Sequence, residues 1–202
     1  WETYFDGSDI GLTGDNIYGA SVDPGGPSTR IRLTTKNSYN VSSGTSLSGD
    51  SNSIFTCDAS SIGDSTACNS ITELVDLSTV GFGTENADAL QFGRFIGTET
   101  FGMNRFFFSS DGSGTVGGVT FTDDDILVLD EETGAFKMYF DGSDVGISGD
   151  VNAFHLEPSG DILMSLRSAQ TISGVGTVAQ HDIVRFSPTQ LGNDTCLLYT
   201  SP

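Results

Sequence analysis

The sequence predicts an all-β chain: an arc of about three four-stranded antiparallel blades of a β-propeller. Three observations predict it. The segment YFDGSDIGLTGD at residues 4–15 returns as YFDGSDVGISGD at 139–150, with a degenerate copy, LVDLSTVGFGTE, at 74–85. Repetition at this spacing marks one supersecondary unit used several times. Apolar and polar residues alternate at a period near two, and no apolar stripe at helical spacing lasts three turns. Turn formers recur throughout, with 26 glycines in 202 residues and Ser, Thr and Asp every few positions.

Superposing the copies gives four strands per unit. The first is a short aromatic strand entering the DGSD turn, at residues 3–5, 73–75 and 137–140. The second follows the Gly and acid pair, at 17–22, 87–92 and 152–157. The third is strongly apolar, at 30–35, 105–110 and 161–167. In copies one and three it is entered through the turn signals DPGG (23–26) and EPSGD (157–161). The fourth lies at 53–58, 125–130 and 182–187, with Ile54, Ile126 and Ile183 in register. It closes with SSIGDST (60–66) in copy one and PTQLGNDT (188–195) in copy three. The units are then 3–70, 71–136 and 137–195, each a meander. Propellers use about four to eight such blades, so three make an arc and not a ring. Tandem β-sandwich modules are the alternative architecture; the units are shorter than the roughly 100 residues of an independent sandwich.

Composition narrows the partners. The chain carries 27 Asp and Glu against 8 Lys and Arg, a formal charge of -19. Nucleic acid and anionic lipid both demand clustered Lys or Arg, so neither is an expected partner. Proteins and neutral glycans remain. No apolar run approaches the roughly 20 residues of a membrane helix, and no leader is visible, the chain opening at Trp1 inside a strand-like segment. Residues 196–202, CLLYTSP, fit no repeat copy and look like the translated read-through of a sequencing adapter; they are set aside as a non-native tail. Cys57 and Cys68 flank the turn-rich stretch DASSIGDSTA. Spacing leaves both a disulfide and two unpaired small apolar residues open.

The third copy carries a resemblance. YFDGSDVG at 139–146, then DVNAFHLEPSGDILMSL at 150–166, HDIVRF at 181–186 and LGNDT at 191–195, is similar to the tandem repeats of large secreted or surface-exposed bacterial β-propeller-like proteins. The similarity covers most of residues 1–195, best in the third copy and worst in the middle one. It implies the architecture and an extracellular or cell-surface location. That family has no settled activity, so the resemblance transfers no catalytic residue. The middle copy departs where Leu77 and Thr79 replace the Gly and second Asp of DGSD.

The recurring polar set is Asp6, Ser8, Gly11 and Asp15, matched by Asp76, Ser78, Gly81 and Glu85, then by Asp141, Ser143, Gly146 and Asp150. With Asp9 and Asp144 added, the candidate calcium ligands are Asp6, Asp9, Asp15, Asp141, Asp144 and Asp150, because Ca²⁺ takes six to eight oxygens. The competing reading is structural: Asp and Ser accept hydrogen bonds from turn amides, and Gly supplies positive φ. Residues 123–132 hold six acids around the apolar strand ILVL, read as solvated gatekeepers and, secondarily, as a cation site. SSDGSGT at 109–115 departs from the Asp-box turn it resembles and reads as a Gly-rich hairpin loop. His155 and His181 have no ligand spacing around them, and no phosphate loop, dinucleotide fingerprint or GxSxG occurs. Asn40 and Asn193 sit in N-x-S/T sequons. The expected function is an extracellular β-propeller scaffold for interaction or ligand binding, with calcium as a candidate stabiliser and no catalytic residue. The alternative is part of a propeller hydrolase or lyase acting on polysaccharide.

Overall fold

Short strands joined by Gly-containing turns cannot satisfy their own backbone groups, so each must find a neighbour, and hairpin pairing supplies the nearest one. The computed structural model describes residues 1–23, 29–83, 85–93 and 105–197, and among them there is no α-helix. The chain is all-β, with several open antiparallel sheets. It divides into two units, Trp1–Ala87 and Asp88–Pro202.

In the first unit, β1 (Ile17–Asp23), β2 (Thr29–Thr35), β5 (Ser53–Ser61) and β6 (Ala67–Asp76) form one sheet in the order β1-β2-β5-β6. Between β2 and β5 the chain makes a separate ribbon, β3 (Tyr39–Ser43) with β4 (Thr45–Gly49). The core gathers Ile31, Leu33, Phe55, Cys57 and Ile71 from the sheet, Tyr39 and Val41 from the ribbon, and Ile10 and Leu12 from the leading turn. Cys57 and Cys68 are bonded as a disulfide across the β5–β6 hairpin, their Cα atoms 5.5 Å apart. The ribbon also seals the outer side of β6. Thr45 Oγ1 both receives the Ile71 N–H and donates to the Ile71 carbonyl, and Ser43 Oγ receives the Cys68 N–H. Gly44, at φ 69°, lies between them; a Cβ there would stand 2.2 Å from the Asn69 carbonyl oxygen.

The second unit repeats the scheme twice. Strands β7 (Ala87–Phe92), β8 (Arg105–Ser110), β11 (Ile126–Asp130) and β12 (Ala135–Phe140) make a sheet in the order β12-β11-β8-β7, with the ribbon β9 (Gly114–Val116) and β10 (Val119–Phe121). Then β13 (Val151–Leu156), β14 (Ile162–Leu166) and β17 (Val184–Phe186) make a three-stranded sheet, with the ribbon β15 (Gln170–Ile172) and β16 (Gly176–Val178). A last short pair joins β18 (Pro188–Gln190) to β19 (Cys196–Leu197). Phe107, Ile126, Val128 and Phe140 of one sheet share a core with Ile162, Met164, Leu166 and Phe186 of the next.

Two expectations are corrected here. The sheets are out of phase with the sequence repeat by one strand: residues 73–75 close the first sheet as the end of β6, and 137–140 close the second as the end of β12. Residues 3–5, expected to be a strand of the first sheet, contribute only an isolated bridge from Phe5 to Gly63. The reason is local. Residues 73–75 and 137–140 each follow their antiparallel neighbour by a tight turn, and a hairpin costs less loop-closure entropy than a longer connection. Among the described residues, each of the first two sheets with its ribbon makes six strands and not four, and the third makes five, because the stretch between the second and third sheet strands folds back as a ribbon. The segment 109–115, expected to be a hairpin loop, instead runs from the end of β8 into the first arm of the ribbon, whose loop is Gly117–Gly118.

Local departures follow the same logic. The copy-three strand expected at 182–187 is confined to Val184–Phe186, and Ile183 is 75% exposed where Ile54 and Ile126 are fully buried. Residues 24–28, which include the predicted DPGG turn, lie outside the described residues. Cys196 and Leu197 pair with Gln190 and Pro188. They take the place that Ala67 and Cys68 hold after the first-copy turn, so strand pairing runs past Thr195 into the segment set aside as a tail.

Candidate functional site

The repeated motif folds into a 3₁₀ turn three times, the first two capped by the aspartate side chain and the third starting one residue later without that cap. Asp6 sits extended and its carboxylate takes the Ser8 N–H at 3.0 Å and the Ser8 hydroxyl at 2.6 Å; Asp76 does the same to Ser78 at 2.9 and 2.5 Å. The Ser143 hydroxyl donates to Asp141 at 2.7 Å. These contacts hold the Asp6 carboxyl below the usual carboxylate range. One 3₁₀ turn later comes a left-handed glycine, Gly11 at φ 96°, Gly81 at 92° and Gly146 at 79°. The residue after it, Leu12, Phe82 or Ile147, is buried and bonds back to the carbonyl of Gly7, Leu77 or Gly142.

The intact copies do something the middle one does not. In the first, the Asp6 N–H donates to Thr66 Oγ1 at 2.8 Å, the Thr66 N–H donates to Asp9 Oδ2 at 2.8 Å, and the Gly63 N–H donates to the Tyr4 carbonyl at 2.8 Å. The third copy reproduces this with Asp141 to Thr195 Oγ1 at 3.0 Å, Thr195 to Asp144 Oδ2 at 2.8 Å, and Gly192 to the Tyr139 carbonyl at 2.9 Å. Thr66 and Thr195 are buried, and each hydroxyl also donates to the glycine three residues before it. The two motifs IGDST and LGNDT are therefore the sockets into which the two DGSD turns lock. In the middle copy both halves differ together: Thr79 stands where the second Asp would be, and in the tight turn EETG at 131–134 Thr133 bonds within its own turn, its N–H to Asp130 and its hydroxyl oxygen to the Ala135 N–H.

Of the six candidate calcium ligands, Asp6 and Asp141 bond within their own turns, and Asp9 and Asp144 hold the socket amides. Asp15 lies half-buried ahead of β1. Asp150 is buried and bonds Arg167 Nη1 at 3.1 Å. Asp15 and Asp150, matched by the sequence copies, are not structural counterparts. The Arg167 N–H bonds the Asp150 carbonyl, whereas Lys36 bonds that of Asn16, so the strand register pairs Asp150 with Asn16. Among the described residues no three His, Cys, Asp or Glu side chains form a group that would hold a metal ion.

Other acids are used as structure too. Of the run at 123–132, Asp124 and Asp125 are buried and not solvated. Asp125 takes the Thr122 and Gly142 amides, and burial pushes its carboxyl up to about 6. Asp130 bonds Arg105 at 2.8 Å across the strand pair, as Asp58 approaches Arg30 in the first sheet. His155 is exposed on β13, and His181 lies 3.9 Å from Asp182 at the surface.

One cluster had no sequence signal. Asp88 on β7 is buried, takes the Ser109 hydroxyl at 2.6 Å, and lies within hydrogen-bonding reach of Asp150. Burial, with the Asp150 charge added, raises its carboxyl to about 7. Asp88 Oδ2 and Asp150 Oδ1 are both buried without a hydrogen-bond donor, a setting that favours the protonated form of Asp88. The position is Tyr18 in copy one and Ala153 in copy three, so no repeat pattern marks it.

No protein-family model, curated protein or solved structure matches this chain. No helix among the described residues is long and apolar enough to cross a membrane.

Proposed function

We propose that the chain is an extracellular or cell-surface repeat scaffold whose sheets are consecutive propeller-like blades, and that it binds a protein or glycan without transforming it. The observation that carries this is the double socket. The polar residues that recur with the repeat are committed to fixing the turn between sheets, which is how a rigid spacer uses Asp, Ser and Thr. The buried Cys57–Cys68 bond supports an oxidising compartment. A charge of -19 favours neutral or basic partners over nucleic acid and anionic lipid.

Asp9 and Asp144 each already hold a socket amide through Oδ2, which leaves one carboxylate oxygen apiece for a cation. Thermal unfolding followed during a Ca²⁺ titration is expected to move by less than about 2 °C, the shift of roughly half a kcal/mol. A rise of several degrees that Asp144→Asn removes would instead assign a calcium site there. Binding on a glycan array with no new reducing ends after prolonged incubation supports the scaffold; release of reducing ends, lost on substitution of a named acid, would make the chain an enzyme.

A further inference from the structure

The turns of the middle and third copies rest on matching residues that differ in chemistry. Asn52 precedes β5 and Asp124 precedes β11 at the same point of their loops: the Ser53 N–H bonds the Asp50 carbonyl and the Asp125 N–H bonds the Thr122 carbonyl, each at 3.2 Å. Both Asn52 and Asp124 are buried. Asn52 meets the middle-copy turn as a neutral amide. Its main-chain carbonyl receives the Leu77 N–H at 3.0 Å, and its Nδ2 donates to the Gly83 carbonyl at 2.8 Å.

Asp124 meets the third-copy turn as an acid. A Cβ at Gly142, the residue aligned with Leu77, would stand 2.9 Å from Asp124 Oδ2, so the carboxyl lies directly beneath the turn. Donors are few there. The Thr122 hydroxyl has one proton to divide between Asp124 Oδ1 at 2.5 Å and Asp125 Oδ2 at 3.1 Å. Asp125 also takes the Thr122 and Gly142 amides, whereas Asp124 Oδ2 is buried without a hydrogen-bond partner. The charged groups that act on Asp124 are Asp123 and Asp125 of its own segment and Asp141 of the turn, all of them acids.

We infer that Asp124 carries a proton in the folded chain and donates it from Oδ2 to the overlying turn of the third copy, as Asn52 does to the middle-copy turn with a donor that does not titrate. The third-copy turn is then latched at low pH and released as pH rises, while the middle-copy turn stays latched throughout. Burial first, with the Asp123 and Asp141 charges added, holds the Asp124 carboxyl above its ordinary value of 3.8. The folded chain therefore keeps this proton at pH values where the unfolded chain has lost it. Stability from the latch is complete below the unfolded value and is lost as pH rises through the folded one. The ion left behind is a buried carboxylate oxygen without a donor, set among other acids, which disfavours the docked turn.

Amide exchange reads both turns in one molecule. The Ile147 N–H bonds the Gly142 carbonyl and the Phe82 N–H bonds the Leu77 carbonyl, the same contact in each copy. Followed from about pH 4.5 to about pH 8 and corrected for intrinsic rates, Ile147 is expected to lose about tenfold in protection, the worth of one net hydrogen bond, and Phe82 to lose none. Asp124→Asn should hold Ile147 protected across that range, and Asn52→Asp should give Phe82 the loss that Ile147 has in the parent. The carboxyl carbon of Asp124, identified by its missing signal in Asp124→Asn, should titrate above 3.8 in the unsubstituted chain. Titration at or below that value would overturn the latch, as would equal protection of Ile147 at both ends of the range or a Phe82 that stays indifferent to pH in Asn52→Asp. Loss of Ile147 protection that persists in Asp124→Asn would also overturn it, and would assign the effect to Asp88 at the far end of the same turn.

Discussion

At Thr66 and Thr195 one hydroxyl does two jobs, accepting a turn amide and donating to a glycine carbonyl, while the same residue's N–H holds an aspartate. Thr66→Val and Thr195→Val leave the Asp6 and Asp141 amides without their acceptor in a partly buried place. Each is expected to cost about 1–3 kcal/mol in urea unfolding. Thr79→Asp restores DGSD-like polarity to the middle copy but supplies no socket, so it should fall within roughly half a kcal/mol of the parent. A stabilisation comparable to the loss at Thr195 would mean the socket is not the aspartate's role. Asp88 makes the opposite kind of prediction. Its folded pKa lies above the unfolded value, so between about pH 4 and about 7 the folded chain holds more protons than the unfolded one. Stability from this group is therefore greatest at low pH and falls as pH rises through that window. Asp88→Asn keeps an acceptor for Ser109 and gives Asp150 a donor. It should raise stability at pH 8, by on the order of 1–2 kcal/mol, and change it little near pH 4. An equal effect at both pH values would show that packing and not titration is responsible.

At the scale of elements, the β5–β6 hairpin is the most heavily fastened part of the first unit. It carries the longest ladder, from Ser53 opposite Asp76 to Ser61 opposite Ala67, and it is sealed by the ribbon through Ser43 and Thr45. The Cys57–Cys68 bond closes a short loop, which in the chain-entropy account is worth roughly 2–3 kcal/mol. Replacing both cysteines with alanine should lower the urea midpoint by that order without removing the far-ultraviolet strand signal. Loss of the strand signal altogether would mean that the first unit depends on the bond to fold. The ribbons are the two strands per repeat that the sequence does not predict: their arms are three to five residues long and rich in Ser, Thr and Gly, so periodicity is too brief to register. Each still buries apolar residues, Tyr39 and Val41, Val116 and Phe121, Ile172 and Val178.

At the scale of the whole molecule, the repeats, the all-β class and the identical D-x-S turns were legible because each rests on neighbours in sequence: a period of two, a glycine at positive φ, a serine two residues from its aspartate. Strand ownership was not. Whether residues 137–140 belong with the copy before or after them is a choice of partner, and the repeat reads the same either way. The roles of Asp9 and Asp144 were hidden for a related reason, since the amides they hold are 57 and 51 residues away. A calcium turn and a socket turn look alike until the far partner is in place. The middle copy held the one available clue: it loses the second aspartate and the threonine socket together, as a paired contact would. Asp88 left no clue at all, because burial beside Asp150 comes from the fold of the second unit and from no pattern in the chain. Local chemistry thus fixed what each segment becomes, and long-range pairing, whose entropy is repaid only on assembly, decided what each segment is for.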